Sequence, residues 1–82
     1  MAAWGTVDGD EFSFRSRWDR WSFAVSADPQ LLPDDIESRE QGYFVEQLYG
    51  GRYGAGYMPE VEARKIIDRE AHAYYEQKHN VA

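Results

Sequence analysis

The chain contains no cysteine. That excludes disulfide bracing and thiolate-ligated zinc or iron–sulfur sites, so side-chain packing has to stabilise any domain built from it. Histidine is nearly as scarce, at two residues, and neither lies in a context that marks a general base. No serine sits in a G-x-S-x-G elbow, so the sequence offers no nucleophile and base to pair. No apolar run approaches the ~20 residues needed to cross a bilayer. The start Met1-Ala2-Ala3-Trp4 lacks both the charged segment and the apolar stretch of a signal peptide, and the expected location is the cytoplasm. Positive charge is also short. Nine Lys and Arg face 15 Asp and Glu, for a formal charge of −6. Such a balance repels phosphate backbones and anionic membranes at long range and favours a partner with a basic surface.

Large apolar side chains are abundant. Hydrophobic residues make up 43% of the chain and aromatic residues 16%, far more than a disordered segment of this charge would carry. At 82 residues there is material for one core, and residues 1–82 are expected to form a single domain.

Residues 4–26 read as extended. Phe12 and Phe14 alternate with Ser13 and Arg15, and Trp21, Phe23 and Val25 alternate with Ser22 and Ala24, a period of two. The apolar positions change from even to odd across Arg17 to Arg20, which fits a tight reversal there. Asp8-Gly9 is a turn dipeptide following a possible first strand at Trp4 to Val7. A helical reading of Phe14, Trp18, Trp21 and Val25 also fits their spacing, but Phe, Trp, Val and Ser suit a pleated surface better. Asp28-Pro29 and Leu32-Pro33 end this region. A helix is expected from Pro33 or Asp34 to the Gly50-Gly51 stop, with Ile36, Tyr43, Phe44, Gln47 and Leu48 on one side and Gly42 weakening or splitting it. Residues 50–58, with four glycines, read as a loop. A second helix follows Pro59, opened by Glu60 and Glu62, closed by Lys78 and His79, and striped by Ala63, Ile66, Ile67, Ala71, Tyr74 and Tyr75. The expected fold is therefore α+β, an N-terminal antiparallel β-meander of two or three strands packed against two C-terminal α-helices.

Five groups of residues invite a functional reading. Asp68, His72, Glu76 and His79 share one face of the last helix and have metal-competent side chains, but Glu60 and Arg64 continue the same row with alternating charge, as a solvated helix face does. The loop glycines Gly51, Gly54 and Gly56 precede a helix yet match no phosphate-binding pattern, and Pro59 removes one N–H that such a cradle needs. On that loop Arg52, Tyr53 and Tyr57 are the residue types that anchor interfaces, or else tyrosines that fold back onto the core. Arg15, Arg17 and Arg20 interleave with Phe14, Trp18 and Trp21, the mixture used to stack single-stranded nucleic acid. An antiparallel strand pair with aromatics inward and arginines paired to acids explains the same alternation without a ligand. Of the acidic residues, Asp34, Asp35, Glu37 and Glu40 are close enough in sequence to form a patch, with helix capping and solubility as the alternative explanation.

No family motif is present. In overall make-up, being small, acidic, cysteine-free, aromatic-rich and without enzyme signatures, the chain resembles the inhibitor proteins that bacteriophages and mobile elements direct against host defences, especially anti-CRISPR proteins. The resemblance implies a non-catalytic inhibitor that binds a nucleic-acid channel or subunit interface of a CRISPR-Cas complex and blocks guide or target access. Asp34, Asp35, Glu37 and Glu40 would stand in for phosphates and Arg52, Tyr53 and Tyr57 would anchor the contact, with no cofactor. Two other classes fit the composition: a small phage structural or homo-oligomeric module, and a nucleic-acid-binding regulator using the Arg/Trp strand segment.

Overall fold

The computed structural model describes residues 2–17, 20–28, 30–36, 42–48 and 58–79, with the Arg17 side chain excepted. Within them the chain forms a four-stranded antiparallel sheet, in the order β1 (Ala2–Val7), β2 (Asp10–Arg17), β3 (Arg20–Ser26) and β4 (Tyr43–Leu48), and one helix, α1 (Glu60–His79). The fold is α+β as the periodicity indicates, but with four strands rather than two or three, and one α-helix rather than two, among the described residues.

The first hairpin follows directly from its turn. Asp8 and Gly9 take φ of 52° and 85°, the left-handed pair that a two-residue hairpin turn requires and that Asp and Gly tolerate best. This sets the register Val7 to Asp10, Gly5 to Phe12 and Ala3 to Phe14. The second hairpin pairs Phe12 with Val25, Phe14 with Phe23 and Ser16 with Trp21, so every large apolar side chain of β2 and β3 lands on one face. Gly5 is needed beneath Phe12: a Cβ there would come within 2.7 Å of the Phe12 ring.

Helix α1 covers that face. Pro59 leads it in, its carbonyl accepting the N–H groups of Glu62 and Ala63 at 3.0 Å. Ala63, Ile66 and Tyr74 pack with Phe14, Trp21, Phe23, Val25 and Met58, flanked by Phe12, Tyr43, Val45, Ile67 and Ala71. Aromatic edges continue across the layer boundary, from Phe23 to Tyr43 (6.2 Å between ring centres) and on to Tyr74 (5.3 Å). Tyr75, one position past this stripe, is exposed, whereas Glu70 is buried. Glu70 meets the Tyr43 hydroxyl at 3.4 Å and Arg69 at 3.1 Å, and the Arg69 guanidinium lies 5.8 Å from the centre of the Trp21 ring.

Among the described residues, the helix expected from Pro33 or Asp34 to the Gly50-Gly51 stop does not form. Pro33–Asp35 makes one 3₁₀ turn, and Tyr43–Leu48 instead pairs with β3, placing Val45 beside Phe23 and Tyr43 beside Val25. Two physical causes favour the strand. Tyr43, Phe44 and Val45 are strand formers, and the outer edge of β3 would otherwise leave a row of unpaired backbone groups beside the core. Gly42 permits the approach, since a Cβ there would lie 2.9 Å from Ile36 Cδ1 and 3.0 Å from the Val25 carbonyl oxygen.

Candidate binding surface

The second face of the sheet carries the alternate residues: Trp4 and Thr6 from β1, Glu11, Ser13 and Arg15 from β2, Arg20, Ser22 and Ala24 from β3, and Phe44, Glu46 and Leu48 from β4. The segment containing the 3₁₀ turn crosses part of it and buries Ser13, Ala24, Pro33 and Ile36. Asp34 fastens this crossing. Its carboxylate accepts the Trp4 indole N–H at 3.0 and 3.1 Å and the Ser13 hydroxyl, and it pairs with the Arg15 guanidinium at 3.2 Å. The Ser13 hydroxyl, then the indole and the guanidinium, hold its pKa below the ordinary 3.8. A carboxylate so fully engaged by donors is a weak base, which makes the Ser13–Asp34 contact a poor device for activating a hydroxyl.

Two clefts flank the crossing. One, of about 320 Å³, lies over Ser22, Phe44 and Glu46. The other, of about 370 Å³, lies beside β1 between Trp4, Thr6, Glu11, Phe12 and Leu32. Trp4 and Leu32 are 61% and 58% exposed, and Leu48, at the far corner of the sheet, is 71% exposed. Apolar side chains left this open around a cleft are the kind of surface that partners cover.

Among the described side chains, each lysine and arginine pairs with a carboxylate. Arg15 pairs with Asp34 and Arg20 with Glu46 on the open face, Arg64 with Glu60 and Lys65 with Glu62 on α1, and Arg69 with Glu70 beside the core. At the end of α1, Lys78 reaches Asp10 at 2.8 Å and Asp8 at 3.2 Å, His79 Nε2 lies 2.7 Å from Asp8, and the Tyr74 hydroxyl donates to Asp10 at 2.5 Å. This clasp ties the first turn to the last turn of the helix. Asp8 is lowered by hydrogen bonds from His79 and Lys78, and Asp10 by those from Lys78 and Tyr74. Burial and the Asp10 contact push the Tyr74 phenol up to about 12, and the same carboxylates raise the Lys78 ammonium.

The sequence-derived candidates distribute unevenly over this surface. Asp34 is committed to Trp4, Ser13 and Arg15, while Asp35 next to it is exposed. Glu37, Glu40, Arg52, Tyr53 and Tyr57 lie outside the described residues, as do Trp18 and the loop glycines. In the Arg/Trp segment Phe14 and Trp21 face the core and Arg15 and Arg20 face outward onto acids. No group of three or more metal-competent side chains converges among the described residues; His72 lies 3.4 Å from Glu76, and His79 turns to Asp8. No helix among them is long and apolar enough to cross a membrane. Trp4, Leu32 and Glu11, which build the cleft beside β1, were not singled out by sequence reasoning. The alternation of β1 places Trp4 opposite the core face, and that signal was available.

Comparisons of the chain with protein-family models, with curated proteins and with solved structures gave no match.

Proposed function

We propose that the chain is a non-catalytic, protein-binding inhibitor that engages a partner with a basic surface, and that the partner is a nucleic-acid-binding defence complex of the CRISPR-Cas type. The observation that carries this reading is the internal use of positive charge. Arg15 and Arg20, the two arginines of the Arg/Trp segment whose side chains are described, each face a carboxylate of the same sheet face, which leaves the excess acid to set the long-range field. An approaching phosphate backbone would have to displace Asp34 or Glu46 to reach them, which disfavours the nucleic-acid-binding alternative. Basic surfaces that normally hold guide or target strands are attracted instead, and the exposed Trp4 and Leu32 supply apolar contact once charge has brought the partners together. Asp35, with Glu37 and Glu40 next in sequence, is the proposed phosphate-like edge. Arg52, Tyr53 and Tyr57 are the proposed anchors.

The test is a titration of the purified chain into assembled CRISPR effector complexes of different types, following target-DNA cleavage. Activity of one complex is expected to fall linearly with added chain, to end near molar equivalence, and to return when excess effector is supplied. Undiminished cleavage in every complex would remove the proposal. Loss at far below equivalence would mean that the chain turns over, and would remove its non-catalytic part.

A further inference from the structure

Edge strands are where a sheet is most open to another chain, and natural proteins usually guard them with charge, proline or a bulge. β1 has none of these: Ala2–Val7 reads AAWGTV, without a Lys, Arg, Asp, Glu or Pro, in a chain that is 29% charged. The opposite edge, β4, carries Glu46 paired to Arg20. No described residue pairs with the outer side of β1.

The turn geometry shows which backbone groups of β1 point away from β2. A two-residue turn makes its flanking residues, Val7 and Asp10, a hydrogen-bonded pair, and the pattern alternates along the ladder. Residues 3, 5 and 7 therefore direct their N–H and C=O groups to β2, and Ala2, Trp4 and Thr6 direct theirs outward. The side chains of those same three residues lie on the open face, where Trp4 and Leu32 border the cleft of about 370 Å³. Glu11, directly across from Thr6, lines that cleft and is exposed, and it forms no ion pair with another described residue.

We infer that β1 is a docking strand: an extended segment of the partner, alternating apolar and basic side chains, adds to its outer edge. This rests on the proposed function and deepens it by naming the surface. Main-chain bonds to Ala2, Trp4 and Thr6 supply the pairing, apolar side chains of the incoming strand lie against Trp4 and Leu32, and a Lys or Arg meets Glu11. Charge selects the occupant. A second copy of this chain brings another net −6 to the edge, whereas a basic segment is attracted by it.

The probe is a blocked Lys-Val-Lys-Val-Lys-Val peptide added to the whole chain, with the Glu-Val counterpart as control, read by NMR amide shifts and hydrogen exchange. The Lys-Val peptide is expected to slow exchange of the Trp4 and Thr6 amides on the order of tenfold or more and to leave those of Ala3 and Gly5 unchanged. The Glu-Val peptide is expected to do neither. Thr6→Pro removes an outward N–H that does not bond to β2, and should abolish binding. Thr6→Lys keeps the strand while placing a cation against Glu11, and should weaken binding at least tenfold even if the proline variant fails to fold. Unchanged Trp4 and Thr6 amides, equal binding of both peptides, or full binding by Thr6→Lys would each overturn the inference. So would a dimer in light scattering that Thr6→Lys dissolves, because the occupant would then be a second copy. The cleavage titration separates the two levels: if wild type and Thr6→Lys inhibit equally, the inhibitor reading stands and the docking strand falls.

Discussion

Asp34 shows how one side chain can be chemically conspicuous and yet occupied. In sequence it is one of four acids between residues 34 and 40, and in the fold its carboxylate is the knot joining Trp4, Ser13 and Arg15 to the 3₁₀ turn. The hydroxyl of Ser13 is buried and needs an acceptor, whereas the Arg15 pair is half exposed and worth little. Asp34→Ala should therefore cost about 1 to 2 kcal/mol in urea denaturation, nearly all of it from the lost acceptor. Asp34→Asn keeps one acceptor oxygen and should cost less than half as much. Equal losses for the two variants would show that charge, not acceptance, is what holds the turn. Nothing in the local sequence separates Asp34 from Asp35, because the distinction depends on which of them faces Ser13, a residue 21 positions away.

Among the elements, the hairpins and α1 were legible because each carries its own signal. Asp8-Gly9 specifies the first turn, the even-to-odd switch specifies the second reversal, and Pro59 to His79 holds an acidic start, an apolar stripe and a basic end. β4 was not legible. Ile36, Tyr43, Phe44 and Leu48 fit a helical face as well as a pleat, and the edge of β3, which decides between them, lies some 20 residues away in sequence. The clasp between the first turn and α1 was missed for a related reason, since Lys78 and Asp10 are 68 positions apart. Its energetics are open to titration. Asp8 and Asp10 have folded pKa values below 3.8, so their contribution is present above that value and is lost as pH falls through the lowered ones. Tyr74 is raised from 10.0 to about 12, so its contribution is full below 10 and is lost as pH climbs towards 12. Melting temperature should be level between these limits and fall on both sides. Asp10→Asn should flatten the acid limb and Tyr74→Phe the alkaline one. A Tyr74→Phe profile that matches wild type above pH 10 would exclude the phenol from the alkaline loss.

For the whole molecule, the distribution of charge matters more than its sum. Ion pairs within the fold leave Glu11, Asp28, Asp35 and Asp68 among the acids without a cation partner in the described residues; Glu11 and Asp28 line one cleft, whereas Asp35 lies on the 3₁₀ turn and Asp68 on α1. A field generated that broadly steers encounter without dictating the final pose, which apolar contacts at Trp4 and Leu32 must then fix. The two contributions separate by kinetics. Raising salt from about 0.02 to about 0.5 M shortens the Debye length from roughly 20 to roughly 4 Å, so the association rate with the inhibited complex should drop by about tenfold or more while dissociation changes little. Glu11→Lys combined with Asp35→Lys should reproduce part of that drop at low salt and make the rate less sensitive to salt. Trp4→Ala should instead speed dissociation and leave the salt dependence of association intact. A Trp4→Ala variant that loses its association rate but not its residence time would reverse these roles, and would place the indole in the encounter rather than in the bound state.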